Sequence, residues 1–299
     1  MRIVRYDRFG GIEQLWIDEI PVPEATPGHA VVRIQASCIN PGTLSALRGA
    51  TYVPIRDLAG TVTAVGADVH DVKIGDEVLG WSQDWSAHAE FAAVPVDHLV
   101  LKPAVLSWDV AGSLYVTPMA GLAAVQAVEP REGDVVVIAG ASGGVGLTAA
   151  QLARRNGATV IGIAGPDNAD RLREFGVRPV SYGADVAEKI REAADGRPID
   201  AFIDAFGSGY VDLALSLGVS RPRINTVVDY QAAKEKGVKA LGTANAGGGP
   251  GLRKLVDLAA SGELAVPIAA AYPLAAAQAA YHALAGTRPF GRIVLHPQA

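Results

Sequence analysis

The sequence predicts an α/β protein in which a β-rich segment is followed by a doubly wound parallel sheet, and three observations carry this prediction. Residues 1–105 contain short apolar or alternating runs separated by Gly, Pro and Asp, a pattern typical of strands and turns. From residue 134 onward, short apolar runs alternate with segments of helical pattern. A glycine-rich turn at residues 140–146 joins the first of these runs to the first helix.

The alternating part divides into defined elements. We predict strands over Val135–Ala139, Thr159–Ala164, Pro179–Tyr182, Ala201–Asp204, Ile224–Val228 and Val238–Leu241. We predict helices near Gly144–Asn156, Ala169–Phe175, Val186–Ala194, Tyr210–Leu217 and Gly251–Ala260. The stretch Ala111–Val128 also has helical character, and Pro118 must begin or kink its helix. A last strand is predicted at the C-terminal "GRIVLHP".

Composition and charge exclude some classes of partner. The 299 residues carry a net charge of −5 and no basic run longer than two residues, so nucleic acid is not an expected partner. Cys38 is the only cysteine, which excludes an internal disulfide and a cysteine-based zinc site. A lone thiol and an N-terminus without a signal-peptide pattern predict a reducing, cytoplasmic location.

One long stretch without charges needs a separate interpretation. Residues 264–286, "LAVPIAAAYPLAAAQAAYHALAG", contain no Asp, Glu, Lys or Arg and are long enough to cross a bilayer. The stretch is mostly alanine, however, and Pro267 and Pro273 interrupt it. We therefore expect a strand, a turn at Tyr272-Pro273 and a soluble helix near Ala275–Leu284, with no membrane partner.

The glycine-rich turn admits two catalytic or binding interpretations. Residues 140–144 fit G-x-S-x-G, which would make Ser142 the nucleophile of a hydrolase. Such an enzyme also needs a histidine and an acid, and the candidates are His282 or His296 with Asp229 or Asp257. The alternative is a turn that binds phosphate at the start of a helix, where backbone amides are unpaired and the helix dipole favours negative charge.

The context of the turn favours phosphate. A third glycine, Gly146, serves close packing of helix on strand in nucleotide-binding turns, whereas a hydrolase does not need it. The strand, the helix ended by Gly157 and the second strand form a compact β-α-β unit. A glycine cluster that only packs the helix and binds no ligand remains a further possibility.

Longer motifs carry a resemblance that covers nearly the whole chain. They include "VPEATPGHAVVRIQASCINP", "DLAGTVTAVGADVHDVKIGDEVLG", "GDVVVIAGASGGVGLTAAQLAR" and "YPLAAAQAAYHALAGTRPFGRIVL". In these motifs the chain resembles the medium-chain dehydrogenase/reductase superfamily, and more narrowly its zinc-free quinone oxidoreductase branch, which includes zeta-crystallin. The resemblance implies a GroES-like β-rich domain formed by residues 1–110 and 265–299. It also implies a Rossmann domain over residues 111–264, with NAD(P)H in the cleft between them.

The resemblance also implies that no metal is bound. In zinc-dependent relatives the first two catalytic ligands occupy the positions that Asn40 and Arg56 hold here, and Cys38 lies two residues before the first of them. Without a Lewis acid the easier reaction is hydride addition to a quinone or an α,β-unsaturated carbonyl. On the same basis, Tyr52 and Asn40 are the candidate catalytic residues, Tyr52 as hydrogen-bond donor to the acceptor and Asn40 near the nicotinamide. Arg56 either contacts substrate or pairs with Asp57, and His88 is expected to be structural.

The cofactor is predicted to be NADPH. NAD-preferring sites place an acidic residue at the end of the second strand, where this chain has Ala164 followed by Gly165. Arg171 lies one turn beyond, although Asp167 is also close. The full set of cofactor-binding candidates, several of them carried over from the resemblance, is Ser142, Gly143, Gly144, Val145, Gly165, Asn168, Arg171, Tyr182, Phe206 and Asp229.

The leading function is therefore an NADPH-dependent reductase of a quinone or enone. An enoyl-thioester reductase of a biosynthetic pathway and a catalytically silent nucleotide-binding protein are the alternatives. A homodimer is expected, because relatives often pair the outer strand of the Rossmann sheet, which here corresponds to residues 238–244.

Overall fold

The structure, a computed structural model, describes residues 1–49, 56–82, 85–286 and 289–299. Its described residues divide into two compact units, one formed by Met1–Val116 with Gly248–Ala299 and the other by Thr117–Gly247. The sequence analysis placed these boundaries at residues 111 and 264 instead. The largest difference concerns a helix over Gly248–Ala260, which packs against the strand Leu99–Leu101 of the first unit rather than belonging to the second.

The elements, in chain order, are as follows. The strands are β1 Arg2–Arg5, β2 Trp16–Glu19, β3 His29–Cys38, β4 Arg56–Val65, β5 Glu77–Ser82, β6 Phe91–Pro95, β7 Leu99–Leu101, β8 Val135–Ala139, β9 Thr159–Ala164, β10 Arg178–Ser181, β11 Ala201–Asp204, β12 Ile224–Thr226, β13 Ile268–Pro273 and β14 Arg292–His296. The helices are α1 Pro41–Leu47, α2 Trp108–Ala111, α3 Val116–Val128, α4 Gly144–Arg155, α5 Ala169–Glu174, α6 Val186–Ala193, α7 Tyr210–Ser216, α8 Tyr230–Lys236, α9 Gly248–Ala260 and α10 Ala277–Gly286.

The first unit is built on a sheet with the strand order β13-β14-β3-β4-β5-β7, in which β6 also pairs with β3. The long strands β3 and β4 are antiparallel, and their buried Val, Ile, Leu and Ala side chains form one core with those of β5 and β6. A second core packs α10 and α1 against β14, with Tyr281 and Leu47 fully buried. Both chain ends therefore contribute to this unit.

The uncharged stretch at residues 264–286 folds into β13 and α10, joined by a short 3-10 turn at Leu274–Ala276. The ten-residue α10 packs its apolar face, including Ala280 and Tyr281, into the core of the first unit. In the part of the chain that the structure describes, no helix is long and apolar enough to cross a membrane.

The second unit contains a sheet of parallel strands in the order β10-β9-β8-β11-β12. Apolar side chains of these strands form a core with those of α6 and α7. The order reverses between β8 and β11, and the carboxyl ends of the strands at such a switch point are where ligands bind in open α/β sheets. The predicted fold class, a β-rich domain with a doubly wound parallel sheet, is confirmed.

In the second unit one predicted strand is not formed and one helix was not predicted. Residues 238–241 do not form a strand, because only Lys239 pairs with the sheet, through a single bridge to Asn225. The Asn225 side chain takes the place of further ladder bonds, accepting from the Leu241 amide at 2.8 Å and donating to the Leu241 carbonyl at 3.0 Å. In addition, Tyr230–Lys236 forms α8, a helix that the sequence analysis did not predict.

Cys38 lies at the end of β3 and is fully buried, and its Sγ lies 3.4 Å from the Ile39 carbonyl oxygen and 3.3 Å from that of Ile293, either of which can accept the thiol proton. Burial raises the pKa of the Cys38 thiol to about 11, above its ordinary value near 9. The folded chain therefore keeps this proton at pH values where the unfolded chain loses it. The resulting contribution to stability is present below about pH 9 and is lost as the pH rises toward 11.

This linkage predicts that part of the pH dependence of stability comes from the Cys38 side chain. Between pH 8 and pH 10.5 the free energy of unfolding of the wild type should fall by about 2 kcal/mol more than that of Cys38→Ala, because one pK unit corresponds to about 1.4 kcal/mol. Urea unfolding at both pH values measures the difference, and other titrating groups cancel in the comparison. Equal losses in the two proteins would contradict the buried, protonated thiol.

Candidate functional site

The glycine-rich turn connects β8 to α4 in a conformation that requires its glycines. Gly140 has φ +73°, a left-handed conformation that side chains disfavour. A Cβ on Gly146 would lie 2.3 Å from the Gly140 carbonyl oxygen, so only glycine allows α4 to pack this closely on the turn. The turn lies beside β11, since a Cβ on Gly140 would lie 3.2 Å from the Ala205 carbonyl oxygen.

This turn fits the pyrophosphate of a dinucleotide. Gly143 is exposed, and Ser142, Gly144 and Val145 are half-exposed around the start of α4. The first amides of a helix have no intrahelical acceptor, and the dipole of α4 adds partial positive charge at the same point. A phosphate can therefore approach the backbone without displacing a side chain.

The loop after β9 brings further predicted residues to this edge of the sheet. Asn168 Nδ2 donates to Ser142 Oγ at 3.3 Å, which links this loop to the glycine-rich turn. A Cβ on Gly165 would lie 3.7 Å from the Tyr182 ring, and Tyr182 is 61% exposed at the end of β10. Arg171 is exposed on α5. Asn168, Gly165 and Tyr182 are thus arranged around the position after Ala164, where NAD-preferring sites have an acid.

The last two cofactor candidates follow β11 and β12. Phe206 is 46% exposed and packs edge-on against Tyr210, with ring centroids 5.8 Å apart. Asp229 begins α8, and its Oδ1 accepts from the Ala232 amide at 3.0 Å. Two buried side chains that the sequence analysis did not single out, Asp204 and Thr226, hold these loops. Their signal in the sequence was a polar residue at the carboxyl end of each strand.

In the first unit, Asn40 belongs to a buried polar cluster with Asp57 and Arg292. Asn40 Nδ2 donates to Asp57 Oδ2 at 2.9 Å, and Asn40 Oδ1 accepts from Arg292 Nη2 at 2.5 Å. Asp57 Oδ1 also accepts the amides of Tyr115 at 2.7 Å and Val116 at 2.8 Å. Asn40 is only 3% exposed. Its amide therefore holds the carboxylate and the guanidinium in place within the protein interior.

Charges balance within this cluster. Burial raises the pKa of the Asp57 carboxyl, while the Arg292 guanidinium and the N–H donors act in the opposite direction. Because all three side-chain and backbone partners of the carboxylate are N–H donors, the geometry suits the ionised form. Sequence reasoning considered Asp57 only as a partner of Arg56 and did not single out Arg292; Asp57 is the second residue of β4, and Arg292 is the first residue of β14.

The same cluster does not fit a metal. The Asn40 oxygen faces a guanidinium, and the Asp57 oxygens accept N–H groups. Among the residues that the structure describes, no group of three or more His, Cys, Asp or Glu side chains has metal-binding geometry.

His88 is buried in a hydrogen-bonded chain beside the cluster. Ser37 Oγ donates to the Asp57 carbonyl at 2.8 Å, so it accepts from His88 Nδ1 at 2.7 Å. His88 Nε2 lies 2.9 Å from the Tyr281 hydroxyl. These contacts give the buried imidazole a structural position between β3 and α10.

The residues required for a hydrolase are engaged elsewhere. The partner of the Ser142 hydroxyl is the Asn168 amide, which cannot act as a general base. His296 Nε2 lies 2.6 Å from Asp109 Oδ1, and His282 Nε2 lies 3.6 Å from Glu13. The described structure therefore gives no support to Ser142 as a nucleophile.

One catalytic candidate, Tyr52, and one candidate substrate contact, Arg56, cannot be compared with the structure. Tyr52 lies outside the described residues, and so does the side chain of Arg56. Their proposed roles stay predictions from the sequence.

Comparisons with known proteins agree with this architecture. Residues 26–104 match the family model described as alcohol dehydrogenase GroES-like domain, and residues 144–227 match the one described as zinc-binding dehydrogenase. The quinone oxidoreductase of Pongo abelii is 32% identical over 236 residues, which are 73% of this chain and 70% of the relative. Erythronolide synthase EryA2 of Saccharopolyspora erythraea is 34% identical over 262 residues, which are 80% of this chain but 7% of that protein.

A solved structure is similar over almost its entire length. The quinone oxidoreductase from Coxiella burnetii has a TM-score of 0.87 and 27% sequence identity, covering 99% of both chains. The similarity thus extends across both units as well as the glycine-rich turn. By sequence and by fold, the chain belongs to the medium-chain dehydrogenase/reductase superfamily of nicotinamide-dependent oxidoreductases and has quinone oxidoreductases among its relatives.

Proposed function

We propose that the protein is an NADPH-dependent reductase that transfers hydride to a quinone or an α,β-unsaturated carbonyl compound without a metal. The observation that carries the proposal is the glycine-rich turn at the switch point of the parallel sheet, combined with similarity to quinone oxidoreductases over both units. When bound, the reduced nicotinamide supplies a hydride to the acceptor, which also takes up a proton. The protein binds the cofactor and the acceptor, orients them and polarises the acceptor.

Metal-free reduction is supported by the residues at the site. Asn40 and Arg292 place an amide and a guanidinium around Asp57, so the charge of the carboxylate is already balanced and a divalent cation would be repelled by the guanidinium. A conjugated acceptor suits such a site, because its developing negative charge spreads onto an oxygen that needs only a hydrogen-bond donor. We propose Tyr52 as that donor and Asn40 as a positioning residue that acts through Asp57.

NADPH is proposed over NADH on the chemistry of the loop after β9. No carboxylate occupies position 164, and Gly165 leaves space for a 2′-phosphate beside Asn168 and Tyr182. Arg171 on α5 supplies positive charge. We further propose, from the resemblance alone, a cytoplasmic homodimer that associates through the edge of the parallel sheet at residues 238–244.

A second candidate function is the reduction of enoyl thioesters. Similarity to erythronolide synthase EryA2 over 80% of this chain favours it. Enoyl substrates attached to a carrier should then be turned over faster than free quinones. Binding of NADPH without oxidation of NADPH across quinones, enones and enoyl thioesters would instead indicate a silent nucleotide-binding protein.

The metal-free proposal predicts that chelation leaves activity unchanged. NADPH oxidation is measured with a panel of quinones and enones before and after exhaustive treatment with EDTA and phenanthroline. We expect the same turnover, because no described residue set can hold zinc at the Asn40 cluster. Stoichiometric zinc in the purified protein, with activity lost on its removal and restored by zinc, would overturn the proposal.

Arg171→Ala tests the cofactor preference. A charge-assisted hydrogen bond contributes about 1.5–3 kcal/mol, which corresponds to roughly ten- to a hundredfold in affinity. In the variant, kcat/KM for NADPH should fall by this factor, and kcat/KM for NADH should not change. Arg173→Ala is the matched control, since Arg173 pairs with Asp170 on the same helix. A wild type that prefers NADH would show that Asp167 governs the site.

Tyr52→Phe tests the proposed donor. A donor that is used more strongly in the transition state contributes about 2–4 kcal/mol, so turnover should fall roughly thirtyfold or more. The affinity for NADPH should not change. Tyr272→Phe, which removes a half-buried hydroxyl from β13, serves as control. Turnover near the wild-type value would assign Tyr52 to packing.

A further inference from the structure

Tyr115, in the first unit, is a buried phenol whose hydroxyl does not hold the fold together. The residue directly precedes α3 and is only 5% exposed. Its hydroxyl has no hydrogen-bond partner among the residues that the structure describes. Since the oxygen is not one of the completely buried atoms that lack a partner, it reaches open space at the surface of the unit. Buried polar groups ordinarily have a partner, so this hydroxyl is available to a ligand.

Aromatic stacking fixes the Tyr115 ring. The ring lies parallel to that of Trp81, with centroids 4.0 Å apart and 5° between the planes. Trp81 is itself buried and also stacks with His98, at 4.2 Å between centroids. Burial lowers the pKa of His98, which favours the uncharged imidazole in this stack. The phenol is therefore held by its ring, and its hydroxyl is not used for this purpose.

The backbone of Tyr115 is bound to the Asn40 cluster. Its amide donates to Asp57 Oδ1 at 2.7 Å, and Asp57 Oδ2 accepts from the Asn40 side chain at 2.9 Å. Trp81, on β5, is the register partner of Asp57 on β4. The family resemblance implies that Asn40 lies near the nicotinamide. The proposed function therefore puts the acceptor beside the cluster that anchors this phenol.

The charge state of the phenol suits a hydrogen-bond donor. Burial, with a smaller contribution from the Asp57 carboxylate, raises the pKa of Tyr115 to about 12. The hydroxyl therefore keeps its proton throughout the neutral pH range. A fixed donor of this kind stabilises a carbonyl oxygen on which negative charge develops during hydride addition.

We propose that Tyr115 is a further catalytic residue, whose hydroxyl donates a hydrogen bond to the carbonyl oxygen of the quinone or enone. The inference rests on the proposed function and does not depend on Tyr52, because an oxygen that gains negative charge accepts more than one hydrogen bond. The acceptor takes a hydride from NADPH and a proton from water, as in the proposed function. The phenol keeps its own proton.

Tyr115→Phe tests the inference, because it keeps the stacked ring and removes only the hydroxyl. We expect kcat/KM for quinones and enones to fall roughly tenfold or more, since a donor to the transition state is lost. The affinity for NADPH should not change. The free energy of unfolding should not fall, because the hydroxyl has no partner among the described residues.

Binding of 4-nitrophenolate to the protein saturated with NADP⁺ provides a second readout. At a pH where this phenol is ionised, it carries a negative oxygen on an aromatic ring, as the reduced quinone does. Its affinity should fall roughly tenfold in Tyr115→Phe, the effect of one charge-assisted hydrogen bond.

Tyr281→Phe is the matched control. It also removes one hydroxyl from a buried ring, but this hydroxyl lies 2.9 Å from His88 Nε2. The control should lower the free energy of unfolding, because a buried partner is lost, and leave kcat/KM and 4-nitrophenolate binding unchanged.

Two outcomes would overturn the inference alone, in a wild type that reduces quinones or enones. One is unchanged kcat/KM in Tyr115→Phe. The other is a fall in kcat/KM that accompanies a loss of stability, with 4-nitrophenolate binding unchanged, since the hydroxyl would then be structural. A wild type that reduces no quinone, enone or enoyl thioester would overturn the proposed function, and the inference with it.

Discussion

Backbone amides that lie outside regular secondary structure need acceptors, and this requirement shapes each functional region of the molecule. Asp57 accepts two consecutive amides, those of Tyr115 and Val116, in the first unit. Asp204 accepts two consecutive amides in the second. At the start of α4, by contrast, the chain supplies no side-chain acceptor, and the helix amides remain for a ligand. The side-chain acceptors thus lie where the protein fixes its own backbone, and they are missing at the turn that we propose binds phosphate.

Close approach of backbone to backbone is the second determinant of the cofactor site. Gly146 allows α4 to contact the carbonyl of Gly140, and a Cβ on Gly162 would lie 2.7 Å from the side chain of Ala141. These contacts bring β8, β9 and α4 together so that the loops after the strands converge. Ser142 and Asn168 meet across this edge as a result. Substitutions at these glycines would move the helix rather than a single side chain.

The polar cluster of the first unit shows how buried charge is accommodated without a metal. Asn40 lies between Asp57 and Arg292, and its amide satisfies an acceptor on one side and a donor on the other. Leaving either charge without its partner would be costly in the protein interior. The cluster also connects strands that are distant in sequence, because Arg292 belongs to β14 and Asp57 to β4. The position of Asn40 therefore depends on the correct folding of both strands.

The sequence by itself determined most of the local elements and the glycine-rich turn. β8, β9 and β11 have the predicted bounds, because buried parallel strands are continuous apolar runs ended by turn residues. The glycines of residues 140–146 were recognisable because their role is local. Only the tertiary structure decided that residues 238–241 make one bridge, that α9 packs with the first unit, and that Asp57, Arg292, Asp204 and Thr226 organise the sites. Those outcomes depend on contacts between residues far apart in the chain, whose partners no local pattern of residue types identifies.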